Sequence, residues 1–175
     1  LHQQPLGFSP EQILTLTVDP SSAGLKDASL LAAHARIQER LRALPGVRGV
    51  TMSRMGLITG WVSNSPVSLE GDAPATDPQT RRIHWNQVGP EFFETLGMSL
   101  LIGRGIDGRD TAAGPRVAVV NEAMAKQLFP GQYPVGKRFL FGRGRFGVSM
   151  EIVGVVRDAK YASLRAPAPP TAYLP

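Results

Sequence analysis

Three stretches of this sequence carry the residue types that grip phosphate. Gly131 to Lys137 fits G-x-x-x-x-G-K, while Gly103, Gly105 and Gly108, and again Gly142, Gly144 and Gly147, fit G-x-G-x-x-G. A P-loop needs a Ser or Thr after its lysine to hold magnesium, and it must run from a strand into a helix. Here Arg138 stands in that place, and the segment leaves a helix pattern and enters a strand pattern. Neither glycine triplet opens a helix, so no helix N-terminus would face a pyrophosphate. All three stretches are read as turns. His2, His34 and His84 are far apart, and none has a second ligand three or four residues on. Asp107 and Asp110 lie in a Gly-rich loop that could hold a cation weakly, but the Asp/Asn spacing of a calcium loop is missing. The absence of cysteine excludes disulfide frameworks, cysteine-zinc sites and thiol nucleophiles. With no G-x-S-x-G elbow either, no catalytic, cofactor-binding or metal-ligating residue is assigned, no cofactor is expected, and the chain is read as a non-enzyme.

The elements that frame these loops are short. A chain of 175 residues with 19 Gly and 15 Pro is rich in turns, and a hydrophobic share of 42% argues against disorder. In Ile13 to Val18, Leu14, Leu16 and Val18 alternate with threonines, the period of a half-buried strand. A helix is expected from Ala28 to Leu44, capped by Asp27 or Ser29, with Leu30, His34, Ile37, Leu41 and Leu44 along one stripe. Pro45-Gly46 stops it. Val47 to Met55 reads as a second strand, so strand, helix and strand form a βαβ unit whose helix covers a sheet face. On that reading Leu41→Asp unfolds this part of the chain.

Trp61, on a Gly/Ser loop, is either a partner anchor or a lid folded back on the core. Pro66 to Leu69 and Arg82 to Val88 are expected to pair as an antiparallel hairpin around the turn GDAPATDP. EFFETLG forms a short helix ended by Gly97, and Met98 to Ile102 is extended. Val117 to Val120 is a buried strand by composition. Asn121 caps the helix that follows, Met124 with Leu128 and Ala125 with Phe129 give it one apolar side, and Pro130-Gly131 ends it. Lys137 to Phe141 and Met150 to Val156 are strands, and Thr171 to Leu174 is expected at a sheet edge because the tail APAPPTAYLP is Pro-rich. The fold class is therefore α+β: a βαβ-containing lobe with its hairpin over 10–88, a smaller mixed lobe over 89–160, and a return segment toward the first lobe over 161–175.

The formal charge of +5 favours acidic partners such as nucleic acid, anionic headgroups or an acidic protein. The basic residues are scattered, however, and the RGG-like Arg143-Gly-Arg145-Phe146 occurs once. No window approaches the ~20 apolar residues of a membrane helix, and no signal pattern opens the chain. A start at LHQQPLGF without Met reads as a domain excised from a longer frame that carries its membrane segments.

The order of motifs resembles the MacB-type periplasmic core domain of FtsX-like ABC transporter permeases, and most of all the orphan branch whose ATPase is a separate chain. The resemblance rests on GFSPEQILTLTVD at 7–19, ERLRALPGVRGVTMS at 39–53, NQVGPEFFETLGMSLLIGRGI at 86–106 and RVAVVNEAMAKQLFPGQYPVGKRF at 116–139. EIVGVVRDAKYASL at 151–164 and PTAYLP at 170–175 complete it. It implies a domain on the periplasmic side of the bacterial inner membrane, tethered between the first two membrane helices. Chain beyond the YLP segment would complete the first lobe, so the domain here is expected to be truncated. The implied partners are the parent's own membrane helices, a separate or linked ATPase subunit, and a second permease copy or a periplasmic protein. The implied role is to relay ATP-driven change outward, without catalysis. The alternative drawn from charge is a basic nucleic-acid-binding α+β domain.

Overall fold

The computed structural model describes residues 6–19, 24, 26–56, 63–69, 72, 81–111, 113–142, 147–160 and 166–175. Among the described residues three helices, α1 (Asp27–Arg42), α2 (Phe92–Thr95) and α3 (Glu122–Leu128), accompany seven strands. The strands are β1 (Ser63–Ser68), β2 (Arg82–Gln87), β3 (Leu100–Gly103), β4 (Val117–Asn121), β5 (Arg138–Phe141), β6 (Val148–Val156) and β7 (Thr171–Leu174). The chain is a mixed α/β protein, as its sequence implies.

The strands run β3-β6-β4-β7-β2-β1-β5, and β5 pairs again with β6. Six strands thus close into a small barrel, with β3 added outside β6. Closure leaves few free backbone edges, the usual liability of a sheet. The β1–β2 hairpin forms as expected, with Ser63 opposite Trp85. β4 alternates strictly: Ala118 and Val120 face one apolar cluster, and Val119 faces the other. The first cluster includes Ile83, Met124, Phe139, Ile152 and Leu174, so α3 packs over the barrel's own core. The second sets Phe92, Phe93 and Leu96 of the α2 region against Val119, Val156 and Tyr173. There the Phe93 ring meets Tyr173 edge-on at 5.1 Å.

Three expectations are corrected. Ile13 to Val18 forms no strand; Leu14 is 83% exposed and no described strand runs beside it to take its hydrogen bonds. Val47 to Met55 contributes only one antiparallel bridge, Ser53 to Val88, held by Arg54 N–H to Gln87 O at 2.9 Å and Gly89 N–H to Met52 O at 2.8 Å. No βαβ unit therefore forms around α1, and none of the described side chains of that helix is buried. The parallel pairs lie elsewhere, between β4 and β6 and between β2 and β7. Third, β7 is an interior strand between β4 and β2 with all four residues buried. Its prolines precede the ladder instead of interrupting it, so the Pro-rich tail does not force an edge position. Hydrogen bonding also crosses the expected boundary at 88/89, since β1 and β2 pair with β5 and β7.

Helix ends follow local chemistry. Asn121 is the N-cap of α3, its Oδ1 accepting the Met124 N–H at 3.0 Å. The N-cap of α1 is Lys26; Ser29 closes that first turn by accepting the Lys26 N–H at 3.1 Å and donating to the Lys26 carbonyl at 2.6 Å. Gly97 ends the α2 region with φ of +63°.

Candidate functional site

In the first glycine triplet, Gly103 serves packing, whereas a Cβ on Gly108, or on Gly131 and Gly136 of the near-P-loop, would meet nothing within 4 Å. A Cβ on Gly103 would lie 2.2 Å from the Val153 carbonyl oxygen, and one on Gly154 would lie 2.1 Å from that of Arg104. Close approach of β3 to β6 requires glycine at both positions. In the near-P-loop, Gly136 donates its N–H to Ile152 O at 2.8 Å, and Lys137 Nζ sits 5.5 Å from the Phe129 ring centre. That lysine covers an aromatic face of the core. Arg143, Gly144, Arg145, Phe146, Trp61 and His2 lie outside the described residues.

His34 and His84 are not brought together. His34 is half-buried on α1, whereas His84 is half-buried on β2, where burial lowers its pKa and favours the neutral ring. Asp107 and Asp110 do converge, but on arginines. Arg104 binds Asp110 through Nη1 at 2.6 Å and Nη2 at 2.8 Å, a fork that leaves the Asp110 side chain 5% exposed. Asp110 also accepts the Asp107 N–H at 3.0 Å. Arg109 closes on Asp107 through Nε at 3.0 Å and Nη2 at 2.7 Å. The Arg104 hydrogen bond holds the Asp110 carboxyl below the usual range, and Arg109 does the same for Asp107. Both carboxylates are thus neutralised from within the loop, and no cluster of three or more metal-ligating side chains occurs among the described residues.

Two buried asparagines, by contrast, tie segments together. Asn86 Oδ1 accepts the Met55 N–H and its Nδ2 donates to the Met55 carbonyl, both at 3.0 Å. Asn121 Nδ2 donates to Pro169 O at 2.8 Å, and its Oδ1 takes the Thr171 N–H at 2.8 Å besides capping α3. The capping role could be read from sequence. The bonds to 169–171 could not, because no local pattern announces a partner 48 residues away. Beside α3, a shallow groove of about 230 Å³ is floored by Leu101, Ile102, Ala125, Phe129 and Val155. Glu122, Lys126 and Gln132 also line it, yet most of its surface is apolar, and Glu122 is already engaged with the Asp158 N–H and with Lys126.

The family model described as MacB-like periplasmic core domain matches residues 3–175. The chain belongs to this family. Among curated relatives, the macrolide export ATP-binding/permease protein MacB of Mannheimia succiniciproducens is 32% identical over 71 residues, 41% of this chain and 10% of that protein. The protein of the same description from Shewanella sp. is 33% identical over 70 residues, 40% of this chain and 10% of that protein. The chain thus spans a small part of these relatives. The crystal structure of the periplasmic region of MacB from Actinobacillus actinomycetemcomitans aligns at a TM-score of 0.53 and 19% identity, covering 81% of this chain and 54% of that one. The extracellular domain of the noncanonic ABC-type transporter YknZ from Gram-positive bacteria aligns at 0.52 and 20% identity, covering 80% and 60%. At these identities the likeness is one of fold. Membership of a transporter's periplasmic domain family gives the chain an extracytoplasmic location. Nothing in these comparisons points to a nucleic-acid-binding domain, and several basic side chains the charge argument counted are engaged internally: Arg42 with Glu91, Arg138 with Glu151, and Arg104 and Arg109 in their loop.

Proposed function

We propose that this domain is a non-catalytic transmission module of an ABC transporter permease on the periplasmic side of the inner membrane, passing the ATP-driven motion of its parent to a substrate or partner outside. The observation that carries the reading is the family match across 3–175. The closed barrel supports it mechanically, since a ring of paired strands around a packed core transmits displacement without deforming. The partners on this reading are the parent's membrane helices and a separate or linked ATPase subunit. A second permease copy or a periplasmic protein completes the set.

Replacing residues 63–174 by a Gly/Ser linker in the parent permease separates relay from hydrolysis. ATP turnover by the ATPase subunit is expected to persist while the parent's transport phenotype is lost. Transport at the unmodified level without the barrel overturns the proposal.

A further inference from the structure

Four segments distant in sequence meet at the N-terminal end of α3. Asp158, just past β6, accepts the Ala123 N–H on Oδ1 at 2.9 Å, and Glu122 Oε2 accepts the Asp158 N–H at 3.2 Å. Each carboxylate thus serves the other residue's segment, a capping box built between elements instead of within one. Residues 6–9 lie directly on this pair. A Cβ on Gly7, whose φ is +79°, would stand 2.0 Å from the Asp158 carbonyl oxygen. Lys160 N–H bonds Leu6 O at 2.8 Å, Ser9 N–H bonds Leu96 O at 2.8 Å, and Phe8 is buried beside the α2 region. The segment ahead of β7 is held at the same helix end by Asn121.

We propose that the reciprocal Asp158–Glu122 contact is a latch that makes residues 6–9 open and close together with the N-terminal end of α3. Phe8 and the partly buried Leu6 pack on the second apolar cluster and two backbone bonds tie the strap to Leu96 and Lys160, while the Asp158–Glu122 contact joins that strap's anchor to the helix end, so that its loss makes both open more readily. Asp158 and Glu122 are positioning residues on this view. The inference rests on contacts within the chain and not on the transport reading, so either can fail alone.

Amide hydrogen exchange on this chain tests it. Glu122→Ala removes the acceptor for Asp158 N–H but leaves the Ala123 bond in place, and Asp158→Ala removes the latter. Each is expected to speed exchange at Ala123, Lys160 and Ser9 together by about tenfold. Ile152, whose N–H bonds Lys137 O inside the barrel, should keep its wild-type rate. Asp158→Asn retains an Oδ1 acceptor and should restore slow exchange. Two outcomes overturn the latch: acceleration at Ala123 with Lys160 and Ser9 unchanged, or acceleration that includes Ile152. Glu122 has a side chain 30% exposed, so Glu122→Ala decides the matter where Asp158→Ala fails to fold.

Discussion

Asp110 and Arg104 show how this protein uses charge. The carboxylate is 5% exposed and takes two guanidinium N–H bonds and one backbone N–H, so its role is to hold the 104–110 loop against β3. Because its folded pKa is lowered, the native state binds fewer protons than the unfolded chain in acid. The stabilisation is therefore complete above the ordinary aspartate pKa of about 3.9 and is lost as pH falls through the lower folded value. Asp110→Asn should lower stability near neutral pH by about 1–2 kcal/mol, with the gap from wild type shrinking in acid. Urea unfolding at several pH values checks this; a gap that widens as pH falls contradicts it. At this scale the sequence was legible in part. Asn121 announced itself by standing between a β-branched run and a helix, but Asn86 sits inside a strand pattern, and its double bond to Met55 depends on tertiary approach.

Elements with a strong internal signal and a nearby partner were readable: the β1–β2 hairpin, β4, α3 and the short α2 helix. The signals at 13–18 and 47–55 were equally periodic, yet period alone supplies no neighbouring strand, and a strand exists only as part of a ladder. α1 illustrates the same point, for of its expected apolar stripe Leu44 is 52% exposed and Leu41 only half-buried. Leu41→Asp should accordingly shift the barrel's stability by less than about 1 kcal/mol, instead of unfolding it as the sequence alone suggested. Ile152→Ala, at a position with 0% exposure, should cost about 2–5 kcal/mol. Melting both variants with near-UV circular dichroism separates the two; equal losses would mean that α1 packs on the barrel. β7 was misplaced for a different reason. Its preceding prolines signal extended chain, but which two strands that chain enters between is a long-range matter.

In the whole molecule, strands from both halves of the sequence close one barrel, with α3 over its core and α2 on the outer apolar face. The proposed relay requires this body to move as a unit. Because the chain has no cysteine, it accepts spin labels at chosen positions. Tyr133, 64% exposed in the loop between α3 and β5, and Thr111, also exposed in the loop between β3 and β4, are two such sites. The decisive measurement is the distance from a label at Tyr133 to one on a membrane helix of the parent permease, and to one at Thr111, with and without ATP bound to the ATPase subunit. The relay predicts that the first distance changes with nucleotide while the second stays fixed, and that an ATPase unable to bind ATP abolishes the change. A first distance that is the same in every nucleotide state, or a barrel whose internal distance shifts instead, would contradict it.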